Sequence, residues 1–288
     1  MKKYLALVLA LVLVAGSAVM LASCGKDAQE TTTAATTAAP EETEAPVVSD
    51  TTVAVSDPTT EAATEATTEA TTEATTEAAK APQSKEEIVA YFNTAVNAVK
   101  SDAKSGVHHY SKISLAGSTT LPSGLNFILK ALGGADEFLG DQLSKNSKGE
   151  QKMSDMSSYP VENESWGSKL TAADVKSASC TEKDGQYTIT ITTVADSKTD
   201  NVKHGQGHAP KAFNAVLPGV VNDNIPGIAE GIVGLASMNY PSSTAKIIVD
   251  IETGHVLSAY YDLYWTINFD KAGAILPFLT QDYYTINW

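Results

Sequence analysis

The chain is 288 residues long, with 20 basic against 34 acidic side chains, a net charge of −14 and two cysteines. Every basic residue is a lysine; without the planar arginine fork that clamps phosphate, and with an acidic balance, the composition argues against nucleic acid as a partner.

Lys2 and Lys3 precede an apolar stretch from Tyr4 to Ala15, which continues to Leu21 with only Gly16 and Ser17 interrupting. A basic start, an apolar middle and a small-residue cleavage site make a secretory signal over residues 1–23. Leu21-Ala22-Ser23-Cys24 resembles the lipobox of bacterial lipoproteins. That resemblance implies cleavage before Cys24 and a diacylglyceryl group on its sulfur. The mature chain would then be held on the extracellular face of the bacterial cell membrane, its two acyl chains meeting the requirement for stable anchoring. The alternative is an uncleaved span over Tyr4–Ala22, but no basic stop-transfer cluster follows; Lys26 stands alone before acidic sequence. With Cys24 lipidated, Cys180 has no disulfide partner.

Residues 24–82 form the next segment. From Gly25 to Pro82, Thr, Ala and Glu dominate, and Glu-Ala-Thr-Thr recurs between Glu65 and Thr76. With no apolar periodicity and no aromatic residue, the segment is expected to be a disordered, extended tether. It would span on the order of 190 Å fully stretched and about 40–45 Å as a flexible coil. Its threonines are candidate sites for O-linked sugars.

Residues 83–288 read as one domain, long enough for a substantial core. Ser84 and Glu87 form a capping box, and Ile88, Phe92, Ala95, Val96 and Val99 share a helical face that Gly106 is expected to end. Val107–Leu115 reads as a strand. A second helical segment runs from about Gly124 to Leu143, with Leu125, Ile128, Leu129 and Leu132 on one side and a break at Gly133-Gly134. Thr171 to Asp174 suggests a capped turn. Val175–Thr181 and Gln186–Val194 flank a glycine-ended turn. Tyr187, Ile189 and Ile191 alternate there with threonines, as in a half-buried antiparallel sheet. Short helices are expected from Pro210 to Ile232. Ala245–Ile251 and Val256–Phe269 form a hairpin with Gly254 in the left-handed position. Leu257, Ala259, Tyr261, Leu263, Trp265, Ile267 and Phe269 fall on one face of a strand more than twice the usual length. Tyr283–Trp288 reads as a last strand. The expected fold is α+β: a curved antiparallel sheet packed against an N-terminal helix and short helices.

Leu170–Val175, Gly185–Ile191 and Asp282–Trp288, behind a lipobox and tether, resemble uncharacterised Gram-positive surface lipoproteins. The element order is also similar to LolA/LppX-type lipoproteins, and that likeness implies a curved sheet cradling an acyl chain.

The chemistry-bearing residues are few. His204 and His208 have metal-like spacing if Asp196 or Asp200 joins them, but Gly205 and Gly207 between them point to a polar loop. His108 and His109 on a strand point to opposite faces. No nucleophile elbow, phosphate loop or His-Glu-x-x-His motif occurs. Glu86-Glu87 and Glu162/Glu164 read as solvated surface, and Cys180 as a small core residue. Tyr260 and Tyr264 point away from the Tyr261/Trp265 face, with Asp262 between them. They either cover a second sheet face or form one wall of a cavity closed by Phe213 and Leu217.

The expectation is a non-enzymatic lipoprotein without cofactor or metal, binding an apolar or lipid-like ligand or an envelope component, with Phe213, Leu217, Tyr260 and Tyr264 at the ligand. The second reading is a structural or adhesive module that contacts cell-wall polymer or a host surface through an aromatic patch at Tyr159 and Trp166. The third is a secreted hydrolase with a site assembled from scattered carboxylates and histidines.

Overall fold

The computed structural model describes residues 81–288 except 124–129, 131–132, 224, 226–229 and 232. The signal segment, Cys24 and the tether up to residue 80 lie outside the described residues, as do Leu125, Ile128, Leu129 and Leu132.

Helix α1, Lys85–Asp102, begins on the reciprocal Ser84/Glu87 capping box, which satisfies free N–H groups at the first turn. It buries Ile88, Val89, Phe92, Ala95, Val96 and Val99. Its polar edge clasps an extended segment. The Asn97 side-chain oxygen accepts from Gly167 N and Ser168 N at 2.7 and 3.0 Å, and Asn93 Nδ2 donates to Leu170 O at 2.7 Å. The helix stops at Asp102, and Gly106 lies inside strand β1, Ser105–Leu115. Gly106 is there because a Cβ would stand 2.8 Å from Thr285 O and 2.9 Å from Met156 S, so close approach rather than helix termination explains it.

Gly133 and Gly134, with φ of +92° and +105°, precede helix α2, Ala135–Asn146, which buries Leu139 and Leu143. β2 is short, Gln151–Met153. The Thr171/Asp174 capping box forms on a 3₁₀ turn, Ala172–Asp174. β3, Val175–Lys183, and β4, Gln186–Thr193, are joined by Asp184-Gly185 at φ +51° and +74°, the left-handed pair that a two-residue hairpin turn needs. β5 is Asp196–Thr199. A 3₁₀ turn at Ala209–Lys211 and helix α3, Pro218–Asn222, follow. The last strands are β6, Ser237–Tyr240; β7, Thr244–Asp250; β8, Val256–Phe269; and β9, Ala274–Asn287.

The nine strands make one antiparallel sheet in the order β2-β1-β9-β8-β7-β4-β3, with β6 also on β8 and β5 on β6. The fold is therefore α+β, as the sequence predicts. Strand β8 pairs with β9 from Ser258 to Phe269, but its other flank serves two neighbours in series: β7 at residues 256–262 and β6 at 266–268. At the gap, Ser243 O accepts from Thr193 N and Ser243 Oγ accepts from Tyr264 N. These bonds satisfy backbone donors the ladder leaves unpaired.

Two expectations shift at the strands. β7 and β8 skip a residue between the Ile248–Ser258 and Val249–Val256 pairs. This bulge turns Val256 fully inward and leaves Leu257 half-buried, so Leu257 does not share the Ala259/Tyr261 face. β9 begins at Ala274, not Tyr283. Pro277 sits in it without losing a ladder bond: its carbonyl accepts from Ala116 N, so its nitrogen faces the side where β1 has just ended. One cluster joins α1, α2 and α3 to the inner sheet residues Ile189, Ile247, Tyr261, Trp265 and Phe278.

Candidate functional site

The other sheet face carries the more organised chemistry. Alternation along β8 sends Tyr260 and Asp262 opposite to Tyr261 and Leu263. Register then assembles two rows across β4, β7, β8, β9 and β1. The first is Thr190–Lys246–Tyr260–Tyr283–Tyr110, and the second Thr192–Thr244–Asp262–Gln281–Lys112. At the strand spacing of about 4.8 Å, five strands span roughly 19 Å.

The first row is stacked. Tyr260 and Tyr283 lie 4.3 Å apart with rings 6° from parallel, Lys246 Nζ stands 4.4 Å over Tyr260, and Tyr110 tilts against Tyr283 at 5.9 Å. A bulge in β1 between His108 and Tyr110 lets His109 join, stacked on Tyr283 at 4.6 Å. In the second row Gln281 Nε2 donates to Asp262 Oδ1 at 3.0 Å, and the Thr192 and Thr244 hydroxyls meet at 3.3 Å. A groove of about 330 Å³ lies between the rows, lined by Tyr110, Lys246, Tyr260, Asp262 and Gln281. Tyr110 is 39% exposed. The hydrogen bond to Tyr283, then burial, push the Tyr260 phenol up to about 12, so it stays a neutral hydroxyl. Because the rings cover one another's faces, the array offers fixed phenol hydroxyls, one amide, one carboxylate and two ammonium groups. Tyrosine presents such contacts at small entropic cost, having few rotatable bonds.

The four predicted ligand residues do not meet. Phe213 is buried edge-on against Tyr261, with centroids 5.6 Å apart, and Leu217 packs half-buried on the same core cluster at the start of α3. Tyr260 and Tyr264 are on the other side of the sheet. Phe213 and Leu217 pack on the Tyr261 side, so the sheet itself separates the two pairs. Tyr264, paired with Leu279, lies beyond the end of β7.

The predicted aromatic patch is also corrected. Tyr159 is fully buried, its hydroxyl 3.0 Å from that of Tyr261, and burial raises its pKa. Trp166 is buried too, under Lys169 Nζ at 4.6 Å. Tyr283, Lys246, Gln281 and Thr190 are the residues that the sequence reading did not bring to a site. Their alternation was visible, but their register was not.

His204 and His208 sit in one loop but are not equivalent: the buried His204 Nδ1 has no hydrogen-bond partner among the described residues, whereas His208 is held. His208 Nδ1 bonds Asp174 at 2.8 Å, and Asp196 accepts from the backbone N–H groups of His208 and Ala209. Burial pushes the His204 pKa down. Among the described residues no group of three or more His, Cys, Asp or Glu has metal-holding geometry. Asp174 accepts from Lys211 Nζ, Thr171 N and Thr171 Oγ1, each at 2.7 Å. Burial alone would raise its pKa, but Lys211, Thr171 and His208 together hold it at about 2. That cluster fastens the 3₁₀ turn to the 208–211 segment. His108 and His109 do face opposite sides of the sheet, His108 stacking on Tyr284 and His109 on Tyr283. Cys180 is half-buried against the core, and burial and then Glu182 raise its thiol pKa. Glu87 is the helix cap, whereas Glu162 and Glu164 oppose the burial that lowers the Lys100 pKa.

Comparison of the chain with protein-family models, with curated proteins and with solved structures returns no match.

Proposed function

We propose that the chain is a membrane-anchored, non-enzymatic binding module whose folded domain contacts a hydroxyl-rich polymer of the cell envelope through the outer sheet face. The observation carrying this reading is the pair of registered rows, in which phenol, amide, carboxylate and ammonium groups are fixed over five strands. A repeating polar polymer needs a long, shallow, pre-organised surface rather than an enclosed pocket. The anchor rests on the sequence at Leu21–Cys24, and the tether on residues 25–82.

The test is co-sedimentation of the full chain with purified peptidoglycan sacculi. Tyr260→Thr keeps a strand-favouring residue but removes the aromatic ring and the far-reaching phenol hydroxyl. Truncating a central tyrosine of a contact surface costs on the order of 2 kcal/mol, a loss of roughly thirtyfold. Unchanged sedimentation of a folded Tyr260→Thr variant would remove the outer face from consideration. For the anchor, Cys24→Ala is expected to move the chain from the membrane to the soluble fraction. An unchanged membrane fraction would mean that the apolar run itself holds it.

A further inference from the structure

A second concavity opens on the helix-bearing side of the sheet, at the β1/β9 end. It measures about 370 Å³, within the range of roughly 300–1,000 Å³ typical of small-ligand sites. Ser111 and His108 from β1, and Thr280 and Asp282 from β9, form its floor; the Ser154–Ser158 loop and Asn214 wall it.

The floor is built rather than incidental. His108 Nε2 lies 2.9 Å from Asp282 Oδ1, and the imidazole stacks on Tyr284 at 4.1 Å and 14°. The other ring nitrogen, Nδ1, has no hydrogen bond among the described residues. Thr280 Oγ1 accepts from Trp265 Nε1 at 3.0 Å, and Asn214 Oδ1 accepts from Glu162 N at 3.3 Å. Those contacts leave the Thr280 hydroxyl proton and the Asn214 amide protons to be donated. Ser111 is 6% exposed, and its hydroxyl makes no hydrogen bond among the described residues although it lines the cavity. The hydroxyl opens into the cavity, so it is available both to donate to and to accept from an occupant.

The chemistry of that occupant follows from what the lining rejects. An acyl chain would leave the serine, threonine and amide groups unpaired. An anion would face Asp155, Glu162 and Asp282, and a cation would face Lys148 and Lys152. A neutral hydroxyl group donates and accepts at once, which matches interleaved donors and acceptors. We infer that this cavity binds a short neutral saccharide. The site lies across the sheet from the outer face and does not depend on the polymer reading.

The test uses the full chain in detergent micelles, with saturation-transfer NMR and calorimetry. The probes are N,N′-diacetylchitobiose and cellobiose, with glucose 6-phosphate and decanoate as the anionic and apolar comparisons. Saturable binding of a neutral disaccharide is expected, weakened roughly three- to tenfold by Ser111→Ala. Ser111→Ala removes no hydrogen bond within the described residues, so folding is preserved. Three results would overturn the inference: no disaccharide binding up to about 10 mM, preference for the phosphate or decanoate, or disaccharide binding that Ser111→Ala leaves unchanged.

Discussion

Replacing Asp174 by alanine removes four contacts at once: those from Thr171 N, Thr171 Oγ1, Lys211 Nζ and His208 Nδ1, all at 2.7–2.8 Å. The carboxylate is 4% exposed, so water does not substitute for them in the folded state. Removing one member of a buried ion pair costs 3–5 kcal/mol; because Lys211 is 23% exposed and rehydrates, about 3 kcal/mol is the expected loss. For a domain of this size that lowers the melting temperature by roughly 6–12 °C, read by circular dichroism. A pH series adds a sharper criterion. The folded pKa is about 2 against an ordinary 3.8, so the carboxylate contributes stability above pH 4 that is lost as pH falls toward 2. That part amounts to about 2 kcal/mol. Wild type should therefore lose this increment between pH 4 and 2 while Asp174→Ala does not, and the gap between them should narrow. A gap that is constant over that range would refute the ion-pair account, even if the variant is destabilised.

Gly106→Ala is expected to cost about 1–3 kcal/mol by overpacking, since its methyl group meets Thr285 O and Met156 S at under 3 Å. A melting temperature within about a degree of wild type would show that the strand simply moves. Tyr159→Phe should cost about 1–3 kcal/mol in urea denaturation because it leaves the buried Tyr261 hydroxyl without the partner at 3.0 Å. Adding Tyr261→Phe should recover part of that loss, and a double variant worse than the single one would mean that the hydroxyl pair is not what matters.

The parts of the fold legible in the sequence are those decided within a few residues. Ser84 with Glu87, Thr171 with Asp174, and Gly254 at φ +71° each satisfy backbone geometry locally. The polar and apolar alternation of β4 and β8 fixed their faces in the same way, so the outward direction of Tyr260 was readable. What faces Tyr260 was not. Tyr283 reaches it through a register set across β8 and β9, and His109 joins through a bulge that no local pattern announces. Phe213 was placed on the wrong side because a short apolar stretch does not state which sheet face it will cover. Tyr159 and Trp166 lie in a Pro-, Ser- and Gly-rich segment without periodicity, and their burial depends on partners such as Tyr261, 102 positions away. The Asp174–Lys211 pair is separated by 37 residues, and the sequence offered only its capping role.

The division of one flank of β8 between β7 and β6 has a consequence for colloidal behaviour. A simple open sheet ends in two strands with unpaired backbone; this one ends in three: β2, β3 and β5. Each unpaired edge is a template for the backbone of a second chain. β2 is three residues long, and β5 is four residues with Lys198 exposed. β3, the long one, presents exposed Lys176, Glu182 and Lys183 along its border. Short length and fixed charge thus guard all three borders against self-association. A chain crowded at a surface at high local concentration would need that safeguard.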